Sequence, residues 1–234
     1  MCFRGLLLKK QTKKHPMIKT VIFDMDGVLI DSEPIHFSAY EQHFKELNIE
    51  VSDELYQTFI GSSTKNIYSR IKELFNLSQS VPELIARKRE LFYICFSESK
   101  TLSLIDGVLE LIEDLYQNDI QLIVASSSSY QNINIIFKKF DLDQYFSHKV
   151  SGEDFPESKP NPAIFNKAVE LSGHHKNECI VIEDSTNGIK AANNAGVFVI
   201  GYKSKESNQN YEAADLIISN YKEISFDKIQ QIKT

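Results

Sequence analysis

The chain has 234 residues, of which 42% are hydrophobic, and its 26 Lys and Arg against 32 Asp and Glu give a formal net charge of −6. This length suits one large domain or one domain with an insertion, and the mildly acidic total argues against a nucleic-acid-binding protein, which normally has a basic face. No apolar stretch approaches the roughly 18 residues of a membrane span, and three scattered cysteines are typical of reduced thiols. We therefore expect a cytoplasmic enzyme or binding protein with neither a membrane nor a nucleic acid as its partner.

Residues 1–16 form a basic segment with five Lys and Arg and no acidic residue, so leaving them out changes the formal net charge from −6 to −11. A secretory signal needs an apolar run of about 7–15 residues after its basic start, whereas this segment has only Leu6-Leu7-Leu8. We predict a disordered tail or an upstream start codon, with Met17 as the natural first residue. A targeting or anion-binding arm is the alternative.

From Met17 onward, short apolar runs alternate with amphipathic stretches. The apolar runs are continuous, which is typical of strands in a sheet covered on both faces. Strand–helix alternation predicts right-handed crossovers, so we expect an α/β fold with a Rossmann-like parallel-sheet core and helices on both faces. The predicted elements are a strand at 20–23, helices near 33–47, 53–60, 64–76, 82–99 and 107–118, a strand at 120–125, helices near 129–140 and 162–172, a strand at 179–182, a helix near 186–195, and strands at 197–200 and 216–218.

One connection is far longer than a plain βα crossover, because about 90 residues separate the first two predicted strands. This stretch holds four helical patterns and almost no β-branched run. We predict an inserted helical cap over 31–104, which divides the α/β core into 17–30 and 105–234.

Polar residues follow the predicted strands directly, at the edge where open α/β sheets bind ligands. Asp24 and Asp26 leave the first strand two residues apart, so they can face the same side, and Gly27 permits a tight turn after them. Two adjacent carboxylates repel each other, so a divalent cation is expected between them. One carboxylate could then attack a phosphoryl group while the other moves a proton; an acidic turn without a ligand is the alternative.

Three further positions follow strands or precede a helix near this edge. Glu183 and Asp184 supply oxygen ligands suited to Mg²⁺, although acids are also favoured at a helix start. Ser126 could donate to a phosphoryl oxygen, although the run Ser126–Ser129 is also typical of a helix-capping loop. Lys159 precedes a proline and so stays outside the next helix, where its ammonium group could reach phosphate; a solvated lysine is the alternative.

These motifs resemble those of haloacid-dehalogenase-type phosphohydrolases, in the helical-cap branch that includes β-phosphoglucomutase and sugar-phosphate phosphatases. The matches follow the family's order within residues 17–220: Asp24-Met25-Asp26-Gly27-Val28-Leu29, Ser126, Lys159-Pro160 and Glu183-Asp184-Ser185. The resemblance implies that Asp24 is the nucleophile and a Mg²⁺ ligand, and that Asp26 is the general acid and base and binds Mg²⁺ through its carbonyl. It also implies that Ser126, Ser127 and Lys159 hold the phosphate and that Asp184, helped by Glu183, completes the metal site.

The entrance to the predicted cap bears on the type of reaction. Its candidate substrate residues are Ser32, Glu33 and His36, and His36 falls where the mutase has a hinge histidine. Two basic residues of the mutase have no counterpart in this chain. The mutase's cap arginine should lie near 61–64, where this chain has Gly-Ser-Ser-Thr, and a mutase lysine should lie near Ser129. Because a mutase must hold a bisphosphate at both ends, these departures favour simple hydrolysis.

We therefore predict a Mg²⁺-dependent phosphatase that hydrolyses a small phosphomonoester, such as a sugar phosphate, through an aspartyl-phosphate. A β-phosphoglucomutase-like mutase is the first alternative. Alternatives of another class are a phospho-accepting signalling module, which would have no cap, and a catalytically idle binding protein. The sequence is compatible with a monomer.

Overall fold

The structure, a computed structural model, describes residues 17–59, 62–99, 102–205 and 207–233, and within them six parallel strands form one sheet. The strands are β1 (Thr20–Phe23), β2 (Gln121–Ser126), β3 (Phe146–Ser151), β4 (Cys179–Glu183), β5 (Phe198–Tyr202) and β6 (Leu216–Ile218). Their order across the sheet is β3-β2-β1-β4-β5-β6, so the strand order reverses beside the central strand β1. Open α/β sheets bind ligands at such a reversal, beyond the carboxyl ends of the strands.

The described residues also contain nine α-helices and three short 3₁₀ turns. The helices are α1 (Glu33–Glu46), α2 (Asp53–Gln57), α3 (Thr64–Phe75), α4 (Val81–Glu98), α5 (Val108–Gln117), α6 (Tyr130–Lys139), α7 (Ala163–Ser172), α8 (Thr186–Ala195) and α9 (Phe226–Gln230), and the turns are Gly152–Asp154, Lys176–Glu178 and Tyr221–Glu223. Five helices, α5 to α9, accompany the sheet, and four, α1 to α4, lie between β1 and α5.

The sheet is covered on both faces, because alternate residues of its strands point into two hydrophobic layers. Val21 and Phe23 of β1 lie in one layer with side chains of α5, α6 and α9, whereas Ile22 lies in the other with side chains of α7 and α8. This arrangement confirms the predicted α/β core with helices on both faces. The strand β3 and the helix α9 were not predicted, and β3 differs from the other strands in carrying polar residues along an edge of the sheet.

The strand register brings the ends of the central strands to one level. Phe23 pairs with Val124 of β2 and with Ile182 of β4, and the backbone N–H of Asp24 donates to the Ile182 carbonyl at 3.0 Å. The residues that follow these strands therefore lie side by side at the carboxyl edge of the sheet. They include the predicted site residues Asp24 and Asp184.

Helices α1 to α4 pack around an aromatic cluster of their own, which includes Tyr40, Tyr56 and Tyr68. The chain enters and leaves this helical part side by side, since Ile30 forms an isolated bridge with Leu104. Serine side chains cap helices of this part: Ser63 caps α3, and Ser80 forms a capping box with Glu83 at the start of α4. We refer to α1 to α4 as the cap; the exact division at 31–104 stays a prediction.

The cap contacts the core through polar side chains as well as through apolar packing. The Ser158 hydroxyl donates to the Ser63 hydroxyl at 2.7 Å, and the Tyr93 hydroxyl donates to Asn132 Oδ1 at 3.0 Å. Arg89 of α4 forms an ion pair with Glu153, in the turn after β3. These contacts hold the cap over the carboxyl edge of the sheet.

Other expectations from the sequence concern the surroundings of the protein. Among the described residues, no helix is both long enough and apolar enough to cross a membrane. The two cysteines that the structure describes, Cys95 and Cys179, are free thiols. The predicted basic tail, residues 1–16, lies outside the described residues.

Candidate active site at the carboxyl edge of the sheet

Lys159 joins two of the predicted acidic residues inside the protein. Its Nζ lies 2.6 Å from Asp24 Oδ1 and 2.8 Å from Glu183 Oε1, and its side chain is 3% exposed. Burial alone would lower the pKa of Lys159, but the carboxylates of Asp24 and Glu183 outweigh it and raise the pKa above its usual value. The lysine is therefore a fixed positive charge beside Asp24. Its peptide bond to Pro160 is cis.

Three acidic side chains converge beside this lysine. Oxygen atoms of Asp24, Glu183 and Asp184 all lie within 4.8 Å of one another. Burial, opposed by Lys159, raises the pKa of Asp24 to about 7, and burial together with the charge of Glu183 raises the pKa of Asp184 well above its usual value. One ammonium group cannot balance three carboxylates, so this oxygen donor set fits a divalent cation such as Mg²⁺.

Two glycines leave the space that these carboxylates occupy. Gly27 has φ +80°, which favours glycine, and a Cβ at this position would overlap the Asp184 carboxylate. A Cβ on Gly188, in the first turn of α8, would overlap the Glu183 carboxylate. The backbone N–H of Ser185 donates to Glu183 Oε2 at 2.7 Å. Both oxygens of Glu183 thus have partners, Lys159 and the start of α8. The carboxylates of Asp24 and Asp184 therefore have more oxygens available to bind a ligand.

Asp26 is surrounded by donors instead of acids. Its Oδ2 accepts hydrogen bonds from Ser128 at 2.8 Å and Ser126 at 3.4 Å, and its Oδ1 accepts one from Ser32 and lies 3.6 Å from His36 Nε2. Burial would raise the pKa of Asp26, but the interactions with His36, Ser32 and Ser128 outweigh it and lower the pKa below its usual value. Asp26 is therefore held as a carboxylate by the core and the cap together.

Lys88 is a site residue that the sequence reasoning missed. It is 2% exposed, its Nζ lies 2.6 Å from His36 Nδ1, and it lies 4.7 Å from the centre of the Tyr40 ring. Burial lowers its pKa to about 7. When Lys88 is an ammonium group, it only donates, so His36 Nδ1 accepts and the ring proton is on Nε2, facing Asp26. The available signal was helical spacing, since Lys88 lies four residues after Leu84 and four before Phe92, both buried.

The serine-rich loop after β2 divides its contacts among neighbouring residues. Ser126 is buried and accepts a hydrogen bond from the Ser128 backbone N–H at 3.0 Å, while Ser127 and Ser128 line the open cleft. Ser129 caps α6 through the Asn132 backbone N–H. The sequence alone left the choice among these serines open, and it missed the contact from Ser128 to Asp26.

A cleft of about 1150 Å³ lies between the cap and the core above these residues. Its lining includes Asp24, Asp26, Lys159 and both residues of the Glu183-Asp184 pair from the core. The lining also includes the three residues predicted at the cap entrance, Ser32, Glu33 and His36. The structure therefore brings the predicted site residues, except the buried Ser126, to the lining of one cavity, which is large enough for a small phosphorylated metabolite.

Comparisons with known proteins agree with this geometry. A model of the haloacid dehalogenase-like hydrolase family matches residues 21–202, which is most of the chain. The chain belongs to this family. The resemblance seen in the sequence motifs is thus confirmed, and the protein is an enzyme of a hydrolase family.

Relatives of this hydrolase include phosphatases and a mutase. It is 29% identical over 180 residues to a phosphorylated carbohydrates phosphatase of Thermotoga maritima, covering 77% of this chain and 82% of that protein. It is 30% identical over 189 residues to a phosphoglycolate phosphatase of Vibrio parahaemolyticus, covering 79% of this chain and 83% of that protein. It is 26% identical over 219 residues to the β-phosphoglucomutase of Bacillus subtilis, covering 92% of this chain and 95% of that protein.

A solved structure extends the similarity to the whole fold. The family IA, variant 3 HAD hydrolase of Entamoeba histolytica superposes with a TM-score of 0.81 at 26% identity, covering 92% of this chain and 98% of that chain. The similarity therefore includes both the sheet and the cap helices. The relatives are thus named for two activities, phosphatase and phosphosugar mutase.

Proposed function

We propose that this hydrolase is a Mg²⁺-dependent phosphatase that releases phosphate from a small phosphomonoester, such as a sugar phosphate, through an aspartyl-phosphate on Asp24. The observation that carries the proposal is the contact between Lys159 and Asp24 inside the acidic cluster. It holds one carboxylate oxygen at 2.6 Å from a buried ammonium group and leaves the other oxygen for attack. The cleft, and the relatives that act on phosphorylated metabolites, support a small substrate.

Asp24, Asp184 and the carbonyl of Asp26 would hold Mg²⁺, with Glu183 beside them, and the bound ion would neutralise carboxylate charge and polarise the phosphoryl oxygens. Lys159 would neutralise part of the charge that Asp24 and the phosphate share. Ser127 and Ser128, at the carboxyl end of β2, lie where phosphoryl oxygens would need donors.

The chemistry of this chain then has two steps. A carboxylate oxygen of Asp24 attacks phosphorus and the bond between phosphorus and the leaving oxygen breaks. Asp26, carrying the proton that it took from water in the preceding turnover, gives that proton to the leaving oxygen. Asp26 next takes a proton from a water molecule, which attacks phosphorus and releases inorganic phosphate and the free Asp24 carboxylate. The donors around Asp26 suit the second step, because they hold its side chain in the base form.

A phosphosugar mutase is the second candidate, favoured by His36 beside Asp26, by Lys88 bound to that histidine, and by the Bacillus relative. A mutase must bind its bisphosphate intermediate in two opposite orientations, so its cleft must hold both phosphate groups at once. In the described part of the cleft, the lining contains no arginine, and its lysines are Lys159 and Lys205. Since Lys159 is already paired with two carboxylates, hydrolysis fits the cleft better.

The deciding experiment measures phosphate release from a panel of phosphorylated metabolites with Mg²⁺ and with a chelator. We expect activity with Mg²⁺, loss on chelation, recovery on adding Mg²⁺ back, and no turnover by Asp24→Asn. The matched control is Asp119→Asn, an exposed residue with φ +60° that asparagine accepts, and it should retain activity. Undiminished hydrolysis by Asp24→Asn would refute the proposal.

The same assay separates the alternatives. A mutase given a hexose 1-phosphate and a trace of bisphosphate would produce the isomeric sugar phosphate, whereas a phosphatase releases inorganic phosphate. A signalling module or an idle binding protein would show no turnover with any ester. We propose in addition that the enzyme works in the cytoplasm, as its free thiols suit a reducing compartment.

A further inference from the structure

We propose that Glu33 and Tyr56 form a charge filter in the cleft. They favour leaving groups that carry hydroxyls and disfavour leaving groups that carry a second anionic group. The inference rests on the proposed phosphatase function and adds the property by which the cap selects the substrate. Neither residue belongs to the acidic cluster around Asp24.

The first step is the position of Glu33 beside the proposed acid and base. Glu33 is the first residue of α1, and the preceding residue, Ser32, donates from its hydroxyl to Asp26. Both Glu33 and Asp26 line the same cleft. Because Asp26 would face the oxygen that leaves phosphorus, the leaving group would occupy the cleft that Glu33 also lines.

The second step is the orientation of the carboxylate. The hydroxyl of Tyr56, in α2, donates to Glu33 Oε1 at 2.9 Å. Tyr56 is 7% exposed, and its ring packs in the aromatic cluster of the cap, with its centre 6.0 Å from that of Tyr40. The donor is therefore fixed by packing, and it holds Glu33 in one orientation.

The third step concerns the other oxygen of Glu33. Among the described residues, none donates a hydrogen bond to Oε2, and every fully buried side-chain nitrogen or oxygen has a partner. Glu33 Oε2 is therefore open to the cleft that Glu33 lines. Burial raises the pKa of Glu33 to about 7, against the opposing effects of Tyr56 and Lys88, so the side chain is mainly a carboxylate above that pH. In that form Oε2 only accepts, so it can bind the hydroxyl of a substrate by a charge-assisted hydrogen bond and repels an anion.

The fourth step is the charge of the surrounding wall. Further acidic residues in the described lining, outside the cluster, are Asp31, Asp53 and Asp106. Against these acids, Lys205 on the loop after β5 lines the cleft but is exposed to solvent, and Lys88 is buried behind His36 and does not line the cleft. A carboxylate or second phosphate on the leaving group would thus face acceptors, whereas a neutral polyol would find partners.

The experiment compares three esters at pH 8, where Glu33 is mainly a carboxylate, under saturating Mg²⁺: sorbitol 6-phosphate, phosphoglycolate and fructose 1,6-bisphosphate. We expect the wild type to prefer sorbitol 6-phosphate over the other two in kcat/KM. Glu33→Gln keeps the shape of the side chain and removes the charge, so it should lower that preference about tenfold, with a gain for phosphoglycolate and a loss for sorbitol 6-phosphate.

A second variant tests the orientation of Glu33. Tyr56→Phe removes only the hydroxyl, and it should raise KM for sorbitol 6-phosphate about three- to tenfold with a smaller change in kcat. The matched control is Glu54→Gln, an exposed residue of α2 outside the cleft lining, which should leave the preference unchanged.

The outcomes separate the two proposals. If all three esters release phosphate in an Asp24-dependent way and Glu33→Gln leaves the preference unchanged, the filter is wrong and the phosphatase stands. A wild type that prefers phosphoglycolate or the bisphosphate also overturns the filter. If no ester is hydrolysed, both proposals fail.

Discussion

Asp24 and Asp26 show how two identical side chains acquire different chemistry from their surroundings. Burial next to other acids raises the pKa of Asp24 to about 7, whereas donors on several sides lower the pKa of Asp26. The spacing of the two residues was visible in the sequence. The direction of each pKa shift was not, because it depends on Ser32, Ser128 and His36, which reach Asp26 from the cap entrance and from the loop after β2.

At this scale, the contact between Lys88 and His36 predicts a specific pattern of coupling. Lys88 does not touch Asp26 directly, so we infer that it is a positioning residue that acts through the tautomer of His36. Lys88→Met and His36→Phe keep most of the buried volume, and His36→Phe can keep the ring packing on Phe92. We expect each variant to lower kcat about tenfold and the double variant to lower it by the same factor.

The measurement is a double-mutant cycle on kcat, together with the pH dependence of kcat for each variant. Loss of the donor to Asp26 should shift the pH dependence in the same direction in all three variants, since all lose the same contact. Losses that multiply to about a hundredfold in the double variant would show that the two residues act independently.

At the scale of elements, the strands differed in how far the sequence could predict them. The strands β1, β2 and β4 are buried on both faces, so they appear as continuous apolar runs. In contrast, β3 contains His148 and Lys149 and lies at the edge of the sheet, where no strand of the described residues pairs with its outer side. Its burial depends on tertiary packing that no local pattern records.

The same limit applies to the site. The residues at the carboxyl ends of β1 and β4 could be predicted, because parallel strands bring their ends to one edge. Lys88 could not, because it comes from the opposite end of the inserted cap, and its partner His36 lies 52 positions away in the chain. How α4 packs against α1 decides that contact.

The ion pair between Arg89 and Glu153 gives a prediction about cap and core. It joins α4 to the turn after β3, so its loss should weaken the closed arrangement of the cap. Both side chains are partly exposed, and such pairs contribute about 0.5–1 kcal/mol, so Arg89→Ala should raise KM about two- to fivefold. The effect should shrink at high salt, where exposed charges are screened.

The chain offers a matched control on the same helix. Arg87 is exposed to a similar degree, but its ion pairs with Glu46 and Glu90 stay within the cap. Arg87→Ala should therefore leave KM unchanged while it removes the same charge. Equal changes in KM for the two variants would show that the effect comes from net charge and not from the contact with the core.

At the scale of the whole molecule, the net negative charge opposes the binding of a negatively charged substrate. The chain carries −6 overall, and residues 17–234 carry −11, yet the proposed substrate is an anion. Long-range attraction cannot bring the phosphate in, so the sign of the charge must be reversed locally. Lys159 is already engaged with Asp24 and Glu183, and a bound cation beside it would complete that reversal.

A cation that binds only the folded protein must also stabilise the whole fold. At a Mg²⁺ concentration about one hundred times Kd, the gain is about 2.7 kcal/mol, and for a domain of this size we expect Tm to rise by about 5–10 °C. The measurement is thermal unfolding with and without Mg²⁺, followed by circular dichroism. Since the pKa of Asp24 is raised to about 7, protons compete with the metal, so the rise should be larger at pH 8 than at pH 5.

Asp184→Asn provides the decisive comparison, because it removes one of the three clustered carboxylates and keeps the shape of the side chain. Without metal, its Tm should be at least that of the wild type, since a buried charge repelled by Glu183 is gone. With metal, its Tm should barely rise, while Asp119→Asn should show the full rise. An equal rise in Asp184→Asn would place the cation elsewhere, and the acidic cluster would then be the base of a cleft without a metal role.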